Sequence, residues 1–532
     1  MQSERLFKDA PVWRAISALV GPSILSVLVM VIYNMTDLFF IGLLQDTAQT
    51  AAVAVVGPVF TLAAAGATVL GMGGCAVVAG SLGAGDLQDA RCISSLCGWC
   101  SILVGVILTV VLNLFCEPIL SLLGTNDEIL PYATDYLRIL AIGAPAMIFS
   151  VSAATLLRAD GAIRRGLVGN LAGSITNILL DPLFILGFGW NIAGAAVATM
   201  IGNLVASGLY LNHILFHSEA LSLCPSDALR HPTRLGRVLA LGLPNGVSSL
   251  LSGLAGSFSN RLLSAYGTNA LAAMAAADKS AMVVTLVQMG ICMGLQPLLA
   301  YNVGGHNFPR LRAVLNRSFG LTVGFGTLFT LFCLLAQQPL IGLFLSDPEA
   351  ISLARQLLPW LLAGSPLLGL YYLGINFLQA AGYAGIATLL SALRQGVLLV
   401  PALYGFHSLL GLPGLASART ATDLFSAVIA LLLFVAIMWM LDMSMQQLWY
   451  YICWPFRKLR ELWNKEPDWA DDIPDTDISG EPELPQAEEP EFLLPEQTGP
   501  KRAKVHRKGS RPAEPVPEPA ADDSLESAIP DF

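Results

Sequence analysis

Apolar runs long enough to cross a hydrocarbon core of about 30 Å, at about 20 residues each, recur along the whole body of the chain. They lie near 14–41, 51–80, 93–116, 130–157, 166–188, 193–216, 235–265, 270–300, 313–336, 352–380, 384–408 and 414–440. The pattern predicts an all-α polytopic membrane protein with twelve transmembrane helices. The first run follows Arg5, Lys8 and Arg14 and is too long for a signal-peptide core. No small-residue cleavage pattern precedes the next run, so the first is expected to stay as a helix. After the twelfth run the character changes. "WYYICWPFRKLRELW" (449–463) interleaves aromatic residues with Arg457, Lys458 and Arg460 and suits a membrane interface. From Pro467 onward the chain is rich in Pro, Glu and Asp and cannot bury enough apolar surface to fold alone.

Composition agrees with the runs. Hydrophobic residues make up 55% and charged residues 13%, against about 25% charged in soluble domains. The net charge of −9 is unevenly spread: residues 467–532 hold 17 of the 38 acids and 6 of the 29 bases. The body is therefore slightly basic and the tail strongly acidic, apart from the basic block "KRAKVHRKGSR" at 501–511. Lys and Arg alternate sides. Arg91 lies between spans two and three, Arg158, Arg164 and Arg165 around the next even loop, Arg230, Arg234 and Arg237 in the central one, and Arg310, Arg312 and Arg317 after span eight. The odd loops hold almost none, so both termini are expected in the cytoplasm, with the body in the cell (plasma or inner) membrane.

The chain also repeats itself. "EPILSLLGTNDEI" (117–129) matches "QPLIGLFLSDPEA" (338–350), "GAP" (143–145) matches "GSP" (364–366), and Pro22, Gly161 and Gly194 match Pro244, Gly382 and Gly414. The offsets are all 220 to 222 residues. Six spans per copy put both copies into the membrane the same way, a parallel repeat of the kind transporters use to handle substrate between halves. The expected organisation is an amino-terminal six-helix lobe (1–218), a cytoplasmic linker (219–233), a carboxyl-terminal six-helix lobe (234–441), an interfacial segment (442–466) and a disordered tail (467–532).

Several stretches are specific enough to carry a family resemblance. They are "YNMTDLFFIG" in the first span, "GSLGAGD" after the second, "LLRADG" after the fourth, "NILLDPLFI" in the fifth and "GLQPLLAYNVGG" closing the eighth. Over residues 10–440 the chain resembles the multidrug and toxic compound extrusion (MATE) family, in particular its bacterial multidrug branch. The resemblance implies two six-helix lobes around a central cavity, opening alternately inward and outward. It implies export of organic, often cationic and amphiphilic compounds in exchange for H⁺ or Na⁺.

The polar residues inside the spans fit such a role. With the amino terminus inside, Asp37, Asn177 and Asp181 fall in the outer halves of spans one and five, and Thr199 lies about two turns below the outer surface in span six. Asn177 and Asp181 are four apart and share a helix face. A carboxylate within a span costs roughly 2.5–3.5 kcal/mol at the helix centre on insertion scales, less toward the ends, and is a functional candidate by default. Oxygen donors suit hard cations. In the family this constellation forms a cation site in the amino-terminal lobe, and all four positions match here. Two carboxylates in one poorly solvated pocket do not both ionise cheaply without a cation. The set therefore serves as a proton carrier or as Na⁺ ligands, and the residues alone do not choose. Asp181 could alternatively cap or kink its helix with Pro182, and Asp37 could bond a neighbouring backbone.

The second half departs from the family. Span seven, "SLLSGLAGSFSNRLLSAYG", holds no acid, and neither does span ten, which puts a second-lobe sodium site in doubt. Asp278, a candidate secondary polar site, is about 100° from Lys279 around the helix and is expected to pair elsewhere, with Arg261 as the nearest candidate. Arg394, Arg419 and Asp423 are expected to satisfy one another between neighbouring spans.

Other classes find no support. The nine cysteines form one CxxC, Cys97 to Cys100, within an apolar run, where helix packing is the expectation. "GMGGCAVVAGSLGAG" (71–85) follows no strand, so it is expected to allow close helix contact rather than to bind nucleotide. The six histidines show no ligand spacing. A monomeric secondary transporter that is not an enzyme is expected. It would use no cofactor beyond its coupling ion, with organic substrates and the lipid bilayer as partners and no nucleic acid. A lipid-linked sugar flippase of the same superfamily, or a non-transporting receptor or scaffold, are the alternatives.

Overall fold

The computed structural model describes residues 5–440 apart from 43, 45 and 346. The interfacial segment and acidic tail expected over 442–532 lie outside the described residues. The first half comprises α1 (Val12–Gly42), α2 (Thr47–Gly83), α3 (Leu87–Leu114), α4 (Leu130–Ala159), α5 (Ile163–Pro182) and α6 (Asn191–Phe216). The second comprises α7 (Arg234–Leu263), α8 (Thr268–Gly304), α9 (Phe308–Leu335), a tenth element in two pieces, α11 and α12 (Leu412–Met440). The tenth is α10a (Pro348–Leu362) followed by α10b (Ser365–Ala380), while α11 runs Ala384–Ala392, through a π-helical stretch Leu393–Leu398, to Leu399–Leu410.

Eleven of these helices are long and apolar enough to cross a membrane, twelve if α10a and α10b form one span. The run expected over 352–380 is thus broken, with a bend of 46°. Pro366 has no N–H to continue the ladder to the Leu362 carbonyl, and at the break Gln288 of α8 donates to the Ser365 carbonyl at 2.7 Å. The matching "GAP" of the first half leaves α4 continuous through Pro145.

The repeat reaches the backbone. Gly85 and His306, Gly161 and Gly382, and Gly189 and Gly411 all take positive φ in equivalent turns. Glycine adopts that conformation without steric cost, whereas His306 holds it at some expense. Asp86 and Asn307, one residue on, cap α3 and α9 by accepting from the backbone N–H of Asp89 at 2.8 Å and Arg310 at 3.3 Å. Short helices Cys116–Leu122 and Gln337–Gly342 occupy equivalent positions after α3 and α9.

Each half packs mostly on itself, and the halves meet where α2 lies against α7 and α8, and α1 against α8. The glycine-rich run of α2 makes this possible. Gly73 faces the Val238 carbonyl, Gly242 the Val69 carbonyl, Gly83 the Tyr301 carbonyl and Gly304 the Gly80 carbonyl, each so closely that a Cβ would land on backbone. Gly290 and Gly294 of α8 lie close on α1 less severely, with Cβ positions 3.2 Å from Ile24 Cα, and 2.7 Å from Ser23 Oγ and 3.0 Å from the Leu19 carbonyl. These contacts lie toward the start of α1 and α7 and the end of α2 and α8, hence at one end of the bundle. Polar contacts join them there. Arg234 pairs with Asp89 at 3.3 Å, and Arg310 donates from Nε to the Phe7 carbonyl and from Nη2 to the Ala10 carbonyl, both at 2.6 Å. Phe7 is fully buried, edge-on to Tyr301 at 5.3 Å. Farther along, Gly57 and Gly66 of α2 and Gly253 and Gly256 of α7 have nothing among the described residues within 4 Å of where a Cβ would stand.

The segment joining the halves is docked rather than loose. Ser95 Oγ donates to the Cys224 carbonyl at 2.7 Å and Trp99 Nε1 to the Leu223 carbonyl at 3.1 Å, tying it to α3 beside the CxxC. Cys97 itself is buried in the core, in keeping with a packing role.

Candidate functional site

Small residues bring α5 and α6 together. A Cβ on Gly173 would stand 2.7 Å from the Gly202 carbonyl, and one on Gly202 would stand 2.7 Å from the Gly173 carbonyl and 3.3 Å from Asn177 Cβ. With the backbones touching there, Asn177, one turn along α5, reaches Thr199, about one turn back along α6. The Asn177 amide bridges its neighbours: oriented to satisfy both, its nitrogen donates to Asp181 Oδ2 at 3.1 Å. Its oxygen then accepts from the Thr199 backbone N–H at 3.1 Å and hydroxyl at 3.3 Å. Asn177, Asp181 and Thr199 are all buried, Asp181 completely. Beyond Thr199 the polar chain continues, as Asn203 donates to the Thr199 carbonyl at 2.9 Å and Ser150 Oγ donates to Asn203 at 3.1 Å.

Asp37 approaches from α1, which packs directly on α5. It is half-buried, and its Oδ1 is shut off from solvent with no hydrogen-bond partner among the described residues. Asp37 lies within electrostatic reach of Asp181. The four sequence-nominated residues therefore converge on one locality, three of them in one hydrogen-bonded cluster. Two tyrosines join them. The Tyr33 hydroxyl lies beside Thr199 and within reach of both carboxylates, and Tyr136 of α4 within reach of Asp37, Asp181 and Tyr33. Tyr33 stands one turn before Asp37, a spacing that could have flagged it; nothing in the sequence points to Tyr136.

Chemically the cluster is a set of hard oxygen donors: two carboxylates, an amide oxygen and hydroxyls. No group of three His, Cys, Asp or Glu side chains suited to a metal ion occurs among the described residues. The donors fit a proton or a monovalent hard cation, and the unpartnered Asp37 Oδ1 is the atom such an ion would satisfy.

In the second half, Asp278 pairs not with Arg261 but with Arg419 of α12, at 2.5 Å. Asp423, one turn from Arg419, pairs across to Arg394 of α11 at 2.8 Å. The Arg394 guanidinium also lies over the rings of Tyr371 and Tyr372 at 4.6 and 5.6 Å.

Known proteins resemble the chain over this same body. The MatE family model matches residues 22–183 and 244–404, once in each half. The Staphylococcus aureus multidrug export protein MepA is 29% identical over 439 residues, covering 81% of this chain and 96% of that protein. Among solved structures, a MATE protein in complex with MaL6 superposes with a TM-score of 0.79 at 23% identity, covering 83% of this chain and 99% of that one. An outward-facing multidrug resistance MATE family transporter superposes with a TM-score of 0.78, at the same identity and coverage. The family match spans more than half of the chain and falls on both repeats, and the chain belongs to the MatE family of membrane transporters.

Proposed function

We propose that this protein is a secondary active multidrug exporter of the cell membrane that moves organic, often cationic compounds outward in exchange for H⁺ or Na⁺. Likeness to a protein named for multidrug export supports the substrate class. The observation that carries ion coupling is the buried Asn177–Asp181–Thr199 cluster beside the unpartnered Asp37 Oδ1. An ion arriving there supplies what Asp37 lacks and compensates two carboxylates in a place water reaches poorly. The same residues make the amino-terminal lobe, 1–218, the ion-handling half, joined through 219–233 to a second lobe at 234–441.

Both termini are cytoplasmic in this proposal, because Arg234, Arg310 and Arg317 cluster at the end where the halves touch. That end is then the closed one, and the arrangement faces outward. Alternating access requires the halves to part there and meet at the other end. The driving ion shifts that equilibrium only by binding one arrangement more tightly than the other.

The test is drug efflux from proteoliposomes under an imposed ΔpH and, separately, an imposed ΔNa⁺. The gradient that supports efflux names the ion. Asp37→Asn keeps the shape of the side chain and removes its charge, so it should retain measurable drug binding in detergent while gradient-driven efflux falls to background. Efflux equal to the parent under both gradients would make Asp37 structural and overturn the coupling scheme.

A further inference from the structure

The second half holds a cavity of about 460 Å³ walled by α7, α8, α10, α11 and α12. Its charged lining is Asp278, Lys279, Arg394, Arg419 and Asp423. Two ion pairs use up both carboxylates, Arg419 with Asp278 at 2.5 Å and Arg394 with Asp423 at 2.8 Å. Lys279 makes no ion pair or hydrogen bond among the described residues; its charge acts on Asp278, which Arg419 already holds. The wall therefore carries three cations against two anions. Arg394 is about nine-tenths buried, and its Nη1 finds no acceptor among the described residues.

The two halves differ at matched positions. The offset that pairs Gly194 with Gly414 also pairs Thr199 with Arg419 and Asn203 with Asp423. Where the first half places neutral oxygen donors around carboxylates, the second places guanidinium groups and an amine. The apolar part of the wall includes Met282, Leu399 and Leu403, with the Tyr372 ring beside Arg394. A surface of that kind accepts a flat apolar body, with Lys279 offering three N–H donors to an anionic end.

We propose that this cavity is an anion-accepting subsite in which Lys279 binds the carboxylate of zwitterionic aryl compounds carried by the exporter. The proposal rests on the export reading for its meaning, but binding at the subsite is measurable without transport. Neutralising Asp278 and Asp423 internally is what leaves Lys279 free for a ligand.

The experiment compares rhodamine 110, which carries a free carboxylate, with its methyl ester rhodamine 123, which does not. Equilibrium binding of each dye is followed by fluorescence anisotropy on the full-length protein in detergent. Lys279→Met should weaken binding of the free acid about tenfold and change binding of the ester less than twofold. Lys279→Arg should restore the free acid to near the parent value. Equal effects on both dyes, or no effect on either, would overturn the subsite, provided the variants elute and melt as the parent does. A second arm titrates phosphatidylglycerol against phosphatidylcholine in nanodiscs. If Lys279→Met abolishes retention of phosphatidylglycerol and leaves both dyes unchanged, the ligand is an anionic lipid headgroup and the proposal fails. Proteoliposome efflux is measured in parallel: a parent that binds both dyes and pumps neither contradicts the export reading while leaving the binding comparison to decide the subsite.

Discussion

The closed end of the bundle depends on glycines that let backbone touch backbone, and Gly304 offers the sharpest perturbation. In Gly304→Ala the new Cβ would stand against Gly80, 2.7 Å from its carbonyl carbon and 2.9 Å from its Cα, with the carbonyl oxygen closer still. Ordinary carbon contacts lie near 3.5–4.0 Å, so α2 and α8 must separate by roughly 1 Å at this point. The obstacle is backbone, which no rotamer change can move. Overpacking of this kind costs about 1–3 kcal/mol. The gain in helix propensity from replacing glycine applies in either arrangement of the halves and cancels from their ratio. The collision applies only where the halves touch, so the closed-to-open ratio at that end should fall about 5- to 150-fold. A tenfold change takes a population that is about nine-tenths closed to about half. Spin labels at Gln88→Cys and Pro309→Cys, both exposed at this end of opposite halves, report the separation by pulsed dipolar spectroscopy in a cysteine-depleted background. The expected result is a second, longer distance in Gly304→Ala. Gly320→Ala is the control, since nothing among the described residues lies within 4 Å of its Cβ position. Distance distributions identical for parent and Gly304→Ala, or equally shifted by Gly320→Ala, would refute the closure argument.

Gly202→Ala should push α5 from α6 at the Asn177–Thr199 contact, lowering the melting temperature in detergent by an amount equivalent to about 1–3 kcal/mol and abolishing any stabilisation by the coupling ion; ion-dependent melting like the parent's would show the cluster to be irrelevant to binding. Asp423→Asn strips the charge facing Arg394 and should cost up to about 3–5 kcal/mol, whereas Arg394→Gln with Asp423→Asn should recover much of it, a comparison thermal melts can make; equal melting of single and double variants would contradict it. A maleimide reporter at Pro309→Cys should label from the cytoplasmic side only, and labelling of intact cells by an impermeant reagent would reverse the topology. The double variant of Asp37→Asn and Asp181→Asn should lose little more efflux than either single one, because residues acting on one ion do not add; fully additive losses would place them in separate steps.

Much of this was legible because a membrane imposes simple rules. Twelve apolar runs, the 220–222 residue repeat and the four polar residues Asp37, Asn177, Asp181 and Thr199 could be read from hydropathy, offsets and depth. Depth fixes how high a residue stands in its helix but not which helix stands beside it. That is why Asp278 was expected on Arg261 and instead meets Arg419: α7 packs chiefly on α2 and α11, leaving α12 to answer α8. The break in the tenth span was hidden for a related reason. "GAP" and "GSP" look alike, yet only the second is pulled open, with Gln288 bonding the carbonyl at Ser365 and Gly364 placed so that a Cβ would stand 3.1 Å from the Thr420 carbonyl. Tyr136 was invisible because it joins the site from a helix distant in sequence.

One helix gives the proposed coupling a physical route. Near its C-terminal end α1 carries Asp37 beside the α5–α6 cluster, and nearer its N-terminal end Leu19, Ser23 and Ile24 lie against Gly290 and Gly294 of α8. Between Ser23 and Asp37 lie fourteen helical steps, about 21 Å at 1.5 Å per residue. Pro22 sits at the α8 contact, where its missing N–H weakens the ladder and lets the helix bend. An ion that draws Asp37 toward Asp181 and Asn177 would therefore tilt or rotate a rod whose other end holds the halves together. The α1–α8 contact tolerates little of that motion, because a Cβ at Gly290 would already stand only 3.2 Å from Ile24 Cα. In the proposed coupling, small movements at the acid end would become a choice between two packings where the halves touch, since packed backbones deform far less readily than they separate.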